Sequence, residues 1–95
     1  MARPYRIELL PSAVKELEGL APAHRHRVAT AIDGLKEVPR PAGAVQLRGS
    51  DGVLRVRAGD YRILYRVFDR RLVVLVIRIG HRREVYRAVV KRLRG

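Results

Sequence analysis

Cysteine is absent from this sequence, which excludes disulfides and thiolate metal sites. Acidic side chains are scarce: nine Asp and Glu stand against 21 Lys and Arg, for a formal net charge of +12. No apolar run is longer than Leu72 to Ile77, far short of the roughly 20 residues a bilayer-spanning helix needs. The opening MARPYRIELLP lacks the long apolar centre of a secretory signal, so a cytoplasmic location is expected. The chain also contains no Ser/His/Asp set, phosphate-binding glycine loop, zinc-ligand spacing, internal repeat or low-complexity segment. Neither a metal nor a cofactor is expected.

What is present is one domain, residues 1–95, with 47% hydrophobic residues. Such a chain folds, but around a small core of modest stability. The positive charge is unevenly spread. Residues 1–40 hold seven basic and five acidic side chains, net +2, whereas 41–95 hold fourteen and four, net +10. That asymmetry points to a polyanion or a strongly acidic protein as partner. Eighteen of the 21 basic residues are arginine. A base composition favouring arginine codons explains that ratio but not the excess of positive charge.

Periodicity divides the chain into elements. Tyr5 to Leu10 has the pattern of a short strand, closed by Pro11. Ser12 is a suitable N-cap for a helix whose apolar positions are Val14, Leu17 and Leu20, with Gly19 near its stop. Pro22 opens a second helix that buries Val28, Ala31, Ile32 and Leu35 and ends at Pro39, giving a helical hairpin. PRPAGAVQLRGSDG has the composition of a loop. From Val53 the period becomes two: VLRVRA is a strand, Gly59-Asp60 a tight turn and YRILYRVF a second strand. After a turn over Asp69 to Arg71, LVVLVIRI is apolar on both faces and therefore central, until Gly80 breaks it. Arg83 to Leu93 has helical spacing. The expected class is α+β with the order βααβββα: an N-terminal strand and helical hairpin packed on an antiparallel meander, with a C-terminal helix.

Three groups converge if the meander forms. Arg55 and Arg57 share a face of its first strand, Arg62 lies across the turn, and His81, Arg82, Arg83 and Tyr86 follow the central strand. If the turn after Ile79 brings residues 81–86 beside the exposed sheet face, a concave basic surface results, with a tyrosine at its edge. Arg62 and Arg66 alternate there with Leu64 and Phe68, so spacing leaves open how much of the face is wet. Arginines bind phosphates in forked geometry and stabilise charge on a pentavalent phosphorane, and a tyrosine stacks on a splayed base. A 2′-hydroxyl attacking its own phosphate needs no metal. On pattern alone, plain polyanion or acidic-partner binding ranks ahead of catalysis. His24 and His26, about 200° apart on a helix, diverge and face solvent. An unperturbed imidazole has a pKa near neutrality, so His81 is a candidate acid or base, though a histidine by itself is more often a turn residue.

The order βααβββα, the loop VQLRG, the strand pair LRVRAGDYRILYRV, the run LVVLVIRIGHRREVY and the tail helix resemble the RelE/ParE superfamily of type II toxins. The likeness covers nearly the whole chain, and GDYRILYRV and GHRREVYR are its most specific parts. The RelE-like branch is implied: a ribosome-dependent endoribonuclease that cuts mRNA and is silenced by a small cognate antitoxin. By this resemblance Arg55 and Arg57 match two basic residues, commonly lysine. Arg62 matches the arginine of YR after the turn, Arg82 the arginine after the glycine, and Tyr86 the tyrosine of the tail. The family roles are to hold the phosphate backbone, to take part in proton transfer and to stack on the substrate base. The expected catalytic set is Arg57, Arg62, His81, Arg82 and Tyr86, and the RNA-binding set Arg55, Arg57, Arg62 and Arg83. One departure matters. Arg57 stands where a lysine is thought to accept the hydroxyl proton, and a guanidinium of pKa above about 12 is a poor base. Either His81 takes that role, or Arg57 only orients and stabilises the hydroxyl, or the toxin is weakly active or inert. ParE-like members share the fold but inhibit DNA gyrase and cut no RNA, which is the alternative. A plain nucleic-acid or antitoxin-binding module is a third.

Overall fold

Pro11 and Pro22 each open a helix, because a proline at the first helical position leaves no N–H unpaired and has a φ already suited to the helix. In the computed structural model, which describes residues 3–81, a strand β1 (Arg6–Leu9) leads into α1 (Pro11–Glu18) and α2 (Pro22–Gly34). β2 (Val45–Gln46), β3 (Leu54–Ala58), β4 (Tyr61–Phe68) and β5 (Val73–His81) follow. The α+β class and the antiparallel run β3, β4, β5 are as the sequence indicates. The tail helix expected over 83–93 lies outside the described residues. No helix among the described residues is long and apolar enough to cross a membrane.

Two further pairings extend the expected meander. The five strands form one sheet in the order β1-β5-β4-β3-β2. β1 joins it parallel to β5, pairing Arg6 with Val73 and Leu9 with Val76, so the sheet is mixed and the first strand is part of it. Within the expected loop, Val45 and Gln46 pair antiparallel with Arg55 and Leu54. Local periodicity carries neither pairing: two residues are too few to alternate, and a partner at the far end of the chain leaves no local trace.

The helix boundaries also shift. Leu10, with extended backbone (φ −64°, ψ 153°), occupies the N-cap of α1, and the Ser12 hydroxyl donates instead to the Ile77 carbonyl at 3.3 Å. Ala13 is thereby fully buried and Val14 turned outward at 38% exposure, while Leu17 and Leu20 pack on the core. α2 stops at Gly34 rather than Pro39, because residues 35–37 turn to bury Leu35 and to bring the Lys36 carbonyl to the Tyr5 N–H. Gly80 does not break β5: it pairs with Arg62, and the strand runs on to His81.

One sheet face packs under both helices. Ala13, Val28, Ile32 and Leu35 meet Ala58, Ile63, Tyr65, Val74, Val76 and Ile79 there, with Ile7 and Leu9 of β1 at the margin. Past Leu9, β5 loses its strand neighbour and α1 supplies the missing partners. The Leu10 N–H donates to the Val76 carbonyl at 2.9 Å, and the Glu16 carboxylate accepts from the Ile79 N–H and from Arg78 Nε, each at 2.9 Å. An open strand edge is closed by side chains.

A second lock ties the segment after α2 to the β4–β5 turn. Arg40 forks onto both Asp69 oxygens at 3.0 and 2.9 Å, and the Tyr5 hydroxyl donates to Asp69 Oδ1 at 2.7 Å. The Arg40 guanidinium, and after it the Tyr5 hydroxyl, hold the Asp69 carboxyl down from 3.8 to about 2. A carboxyl whose folded pKa lies below its unfolded one stabilises fully above the unfolded value and loses that contribution as pH falls through the folded one. The melting temperature of the wild type is therefore expected to drop more steeply than that of Asp69→Asn between about pH 4 and about pH 2. The difference should be small, since both partners are exposed. Equal slopes in paired thermal melts would show that the network contributes nothing.

Candidate nucleic-acid interface

Directly paired residues of antiparallel strands share a sheet face. Leu54, Val56 and Ala58 of β3 face the helices with Tyr61, Ile63, Tyr65 and Val67 of β4. The opposite face therefore receives Arg55 and Arg57 from β3, and Arg62, Leu64, Arg66 and Phe68 from β4. Its middle is dry: Leu64 and Val53 are fully buried and pack with Leu47 and Ile77. Arg66 lies over the Phe68 ring, 4.9 Å from its centroid, and 3.9 Å from an Asp51 carboxylate that is almost wholly exposed. The basic end of this face lies at Arg55, Arg57 and Arg62.

There the geometry is specific. The turn Gly59-Asp60 joins Ala58 directly to its partner Tyr61, with Gly59 at φ +63°, a left-handed conformation that glycine adopts without strain. One step further in, Arg57 stands directly opposite Arg62. Arg62 Nη1 donates to the Asp60 carbonyl at 3.2 Å, and its neighbour on β5 is Gly80, which adds no side chain. Arg57 is exposed, whereas Arg55 is half-buried, with an Nε that is buried and has no hydrogen-bond partner. Neither Arg55 nor Arg57 joins an ion pair among the described residues. Like charges directly opposite across strands repel, and a buried N–H without an acceptor costs free energy. A phosphodiester laid along this end of the sheet would relieve the repulsion, accepting forked hydrogen bonds and spreading negative charge between the exposed guanidinium groups.

The structure brings Arg55, Arg57 and Arg62 together but not His81. Because β5 continues as a strand through Gly80, strict alternation sends residue 81 to the other face, where His81 pairs with Tyr61. Its ring meets the Tyr61 ring edge-on, centroids 5.3 Å apart at 69°, and His24 packs on the same tyrosine at 5.2 Å and 52°. Arg82, Arg83 and Tyr86 lie outside the described residues. His24 and His26 are both exposed and diverge as expected, but the contact of His24 with Tyr61 was not legible. It depends on the packing of α2 across the sheet end, and only the YR that carries Arg62 marked the position of Tyr61. Among the described residues, no three His, Asp or Glu side chains gather as metal ligands.

The chain matches the family described as the ParE toxin of the type II toxin-antitoxin system, parDE, over residues 7–86. It is 33% identical over 93 residues to the mRNA interferase toxin RelE of Escherichia coli K12, covering 94% of this chain and 97% of that protein. Its fold is similar to that of a mutant of E. coli toxin RelE in the free state, with a TM-score of 0.76, 31% identity and coverage of 95% and 98% of the two chains. It is also similar to the toxin-antitoxin complex RelBE2 of Mycobacterium tuberculosis, with a TM-score of 0.75, 30% identity and coverage of 86% and 95%. Fold and family together define a toxin of the type II class. The chain belongs to the RelE/ParE superfamily, in its RelE-like branch.

Proposed function

We propose that this protein is the toxin of a type II toxin-antitoxin system and acts as a ribosome-dependent endoribonuclease on mRNA. The observation that carries the reading is the Arg57–Arg62 pair beside Gly80 on the face away from the helices, with Arg55 further along the same strand face. A 2′-hydroxyl attacks the adjacent phosphorus, the new O–P bond forms as the P–O5′ bond breaks, and a cyclic phosphate and a 5′-hydroxyl result. Arg57 and Arg62 stabilise the charge on the phosphorane, and Arg55 holds the backbone. By the family resemblance Arg82 stabilises the leaving oxygen, Arg83 binds the backbone and Tyr86 stacks on a base. With His81 on the other face and a guanidinium in general a poor base, position and charge activate the hydroxyl; its proton passes to water, and water supplies the proton that the departing O5′ takes up. No cofactor enters. The partners are mRNA on the ribosome and, as the antagonist, an acidic antitoxin matched to the net charge of +12. The cytoplasm is the compartment in which these meet.

Primer extension on mRNA after induction of the protein tests the reading. Growth should stop, with cuts phased within translated regions. Intact mRNA together with double-strand DNA breaks would move the chain to gyrase inhibition, the activity attached to the ParE-like branch.

A further inference from the structure

At the end of the sheet, two neighbouring rows of paired residues carry different chemistry. The row Arg57, Arg62, Gly80 puts guanidinium groups on the face away from the helices, and the next row, Ala58, Tyr61, His81, puts rings on the helix face. His24 of α2 extends the second row, giving the series His24, Tyr61, His81 with centroids 5.2 and 5.3 Å apart. Both histidines are exposed and Tyr61 is half-buried. Beside them Arg27 lies against the β3–β4 turn: its Nη1 is 2.7 Å from where a Cβ on Gly59 would sit, so the bare glycine makes room for it.

The charge around these rings is mostly positive: α2 carries no carboxylate before Asp33, Asp60 lies in the β3–β4 turn, and the Glu16 carboxylate is engaged by Arg78 and the Ile79 N–H. α2 begins with no side-chain cap and no acid in its first turn, yet positions 24–27 are His-Arg-His-Arg. Cations at a helix N-terminus oppose the helix dipole, so helix stability does not account for them. Neither Arg25 nor Arg27 joins an ion pair among the described residues.

We propose that His24, Tyr61 and His81 form a base-stacking site for single-stranded RNA, with Arg27 at the adjoining phosphate. The strand then crosses the end of the sheet, its backbone on Arg57 and Arg62 and a neighbouring base against the rings of the other face. Rings beside cations are how proteins hold unpaired bases without reading their sequence. This site deepens the nuclease reading and rests on it for the identity of the ligand, but its binding can be measured without cleavage.

The test uses the full chain and a fluorescent 2′-O-methyl RNA oligonucleotide, which lacks the attacking hydroxyl, against an abasic strand of the same length at one salt concentration. Fixed salt is essential because backbone contacts alone bind in a salt-dependent way. The wild type should prefer the strand with bases. His24→Ala, at an exposed position, and Tyr61→Leu, which keeps an apolar side chain over the core, should each weaken that binding about tenfold and leave the abasic strand unaffected. Tyr61→Phe should bind as the wild type does. Variants that keep the full preference for bases, or lose both strands equally, overturn the stacking site. So do variants that bind RNA normally but lose an acidic antitoxin. If the wild type cuts translated mRNA while the ring variants discriminate normally, this site fails and the nuclease reading stands. If the ring variants lose discrimination but no mRNA is cut in cells, the stacking site stands and the nuclease reading fails.

Discussion

Arg57→Ala is expected to slow mRNA cleavage by about 100- to 1,000-fold, as the loss of one preorganised transition-state donor does, while the protein stays as stable as the wild type or becomes slightly more so. The two effects have one cause. Arg57 faces Arg62 across the hairpin, and like charges directly opposite are destabilising. Arg57 is exposed, so its removal leaves no cavity. In the proposed mechanism the same pair is the clamp on the phosphate. Arg57→Lys separates charge from basicity. An ammonium keeps the charge, loses the fork and, unlike a guanidinium, can serve as a base once deprotonated. That variant should retain cleavage well above the alanine variant and show a rate that rises with pH. Single-turnover cleavage on programmed ribosomes, set beside thermal melts, measures both quantities. A rate close to wild type combined with a clearly lowered melting temperature would make Arg57 a structural residue and remove it from the mechanism.

The same hairpin shows what local pattern reveals and what it does not. Alternation in VLRVRA and YRILYRVF fixed the faces of Arg55, Arg57 and Arg62, since a period of two needs only the strand itself and a tight turn to set the register. His81 was misplaced because Gly80 resembles a terminator. In the sheet, the ladder to Arg62 holds the glycine extended, and one more residue of strand reverses the side on which the histidine lies. β1 was recognised as a strand but not as the parallel neighbour of β5, for its own residues say nothing of a partner across the chain. Ser12 had the chemistry of an N-cap, but Pro11 already fixed the start of α1, which freed the hydroxyl to serve the open edge of β5. The ring series of His24, Tyr61 and His81 draws on three elements, so it becomes visible only once the helices are docked.

Tyr65→Ala is expected to destabilise the fold by about 3–5 kcal/mol, the usual cost of emptying a large aromatic site in a core. For a domain of this size the whole stability is roughly 5–15 kcal/mol, so a substantial unfolded population should appear at moderate temperature. Tyr65 is fully buried on the helix face of β4, between Leu54 and Val76 and beside the irregularity in the β4–β5 ladder. Its hydroxyl donates to the Pro39 carbonyl at 2.8 Å, and burial pushes its phenol pKa up. Pro39 adjoins Arg40, which grips Asp69, so the Tyr65 hydroxyl and the ion pair hold adjacent residues of the segment after α2. Tyr65→Phe isolates the hydroxyl. It keeps the packing, strands the Pro39 carbonyl and should cost only about 1–3 kcal/mol. Leu54 precedes Arg55 on β3, so collapse around the alanine should also displace the guanidinium groups on the opposite face and slow cleavage in the fraction that remains folded. Urea unfolding of the three proteins under one set of conditions gives the ledger. If Tyr65→Ala lies within about 1 kcal/mol of wild type, where tolerant surface sites fall, Tyr65 is not the centre of this core, and its link to the arginine face fails with it.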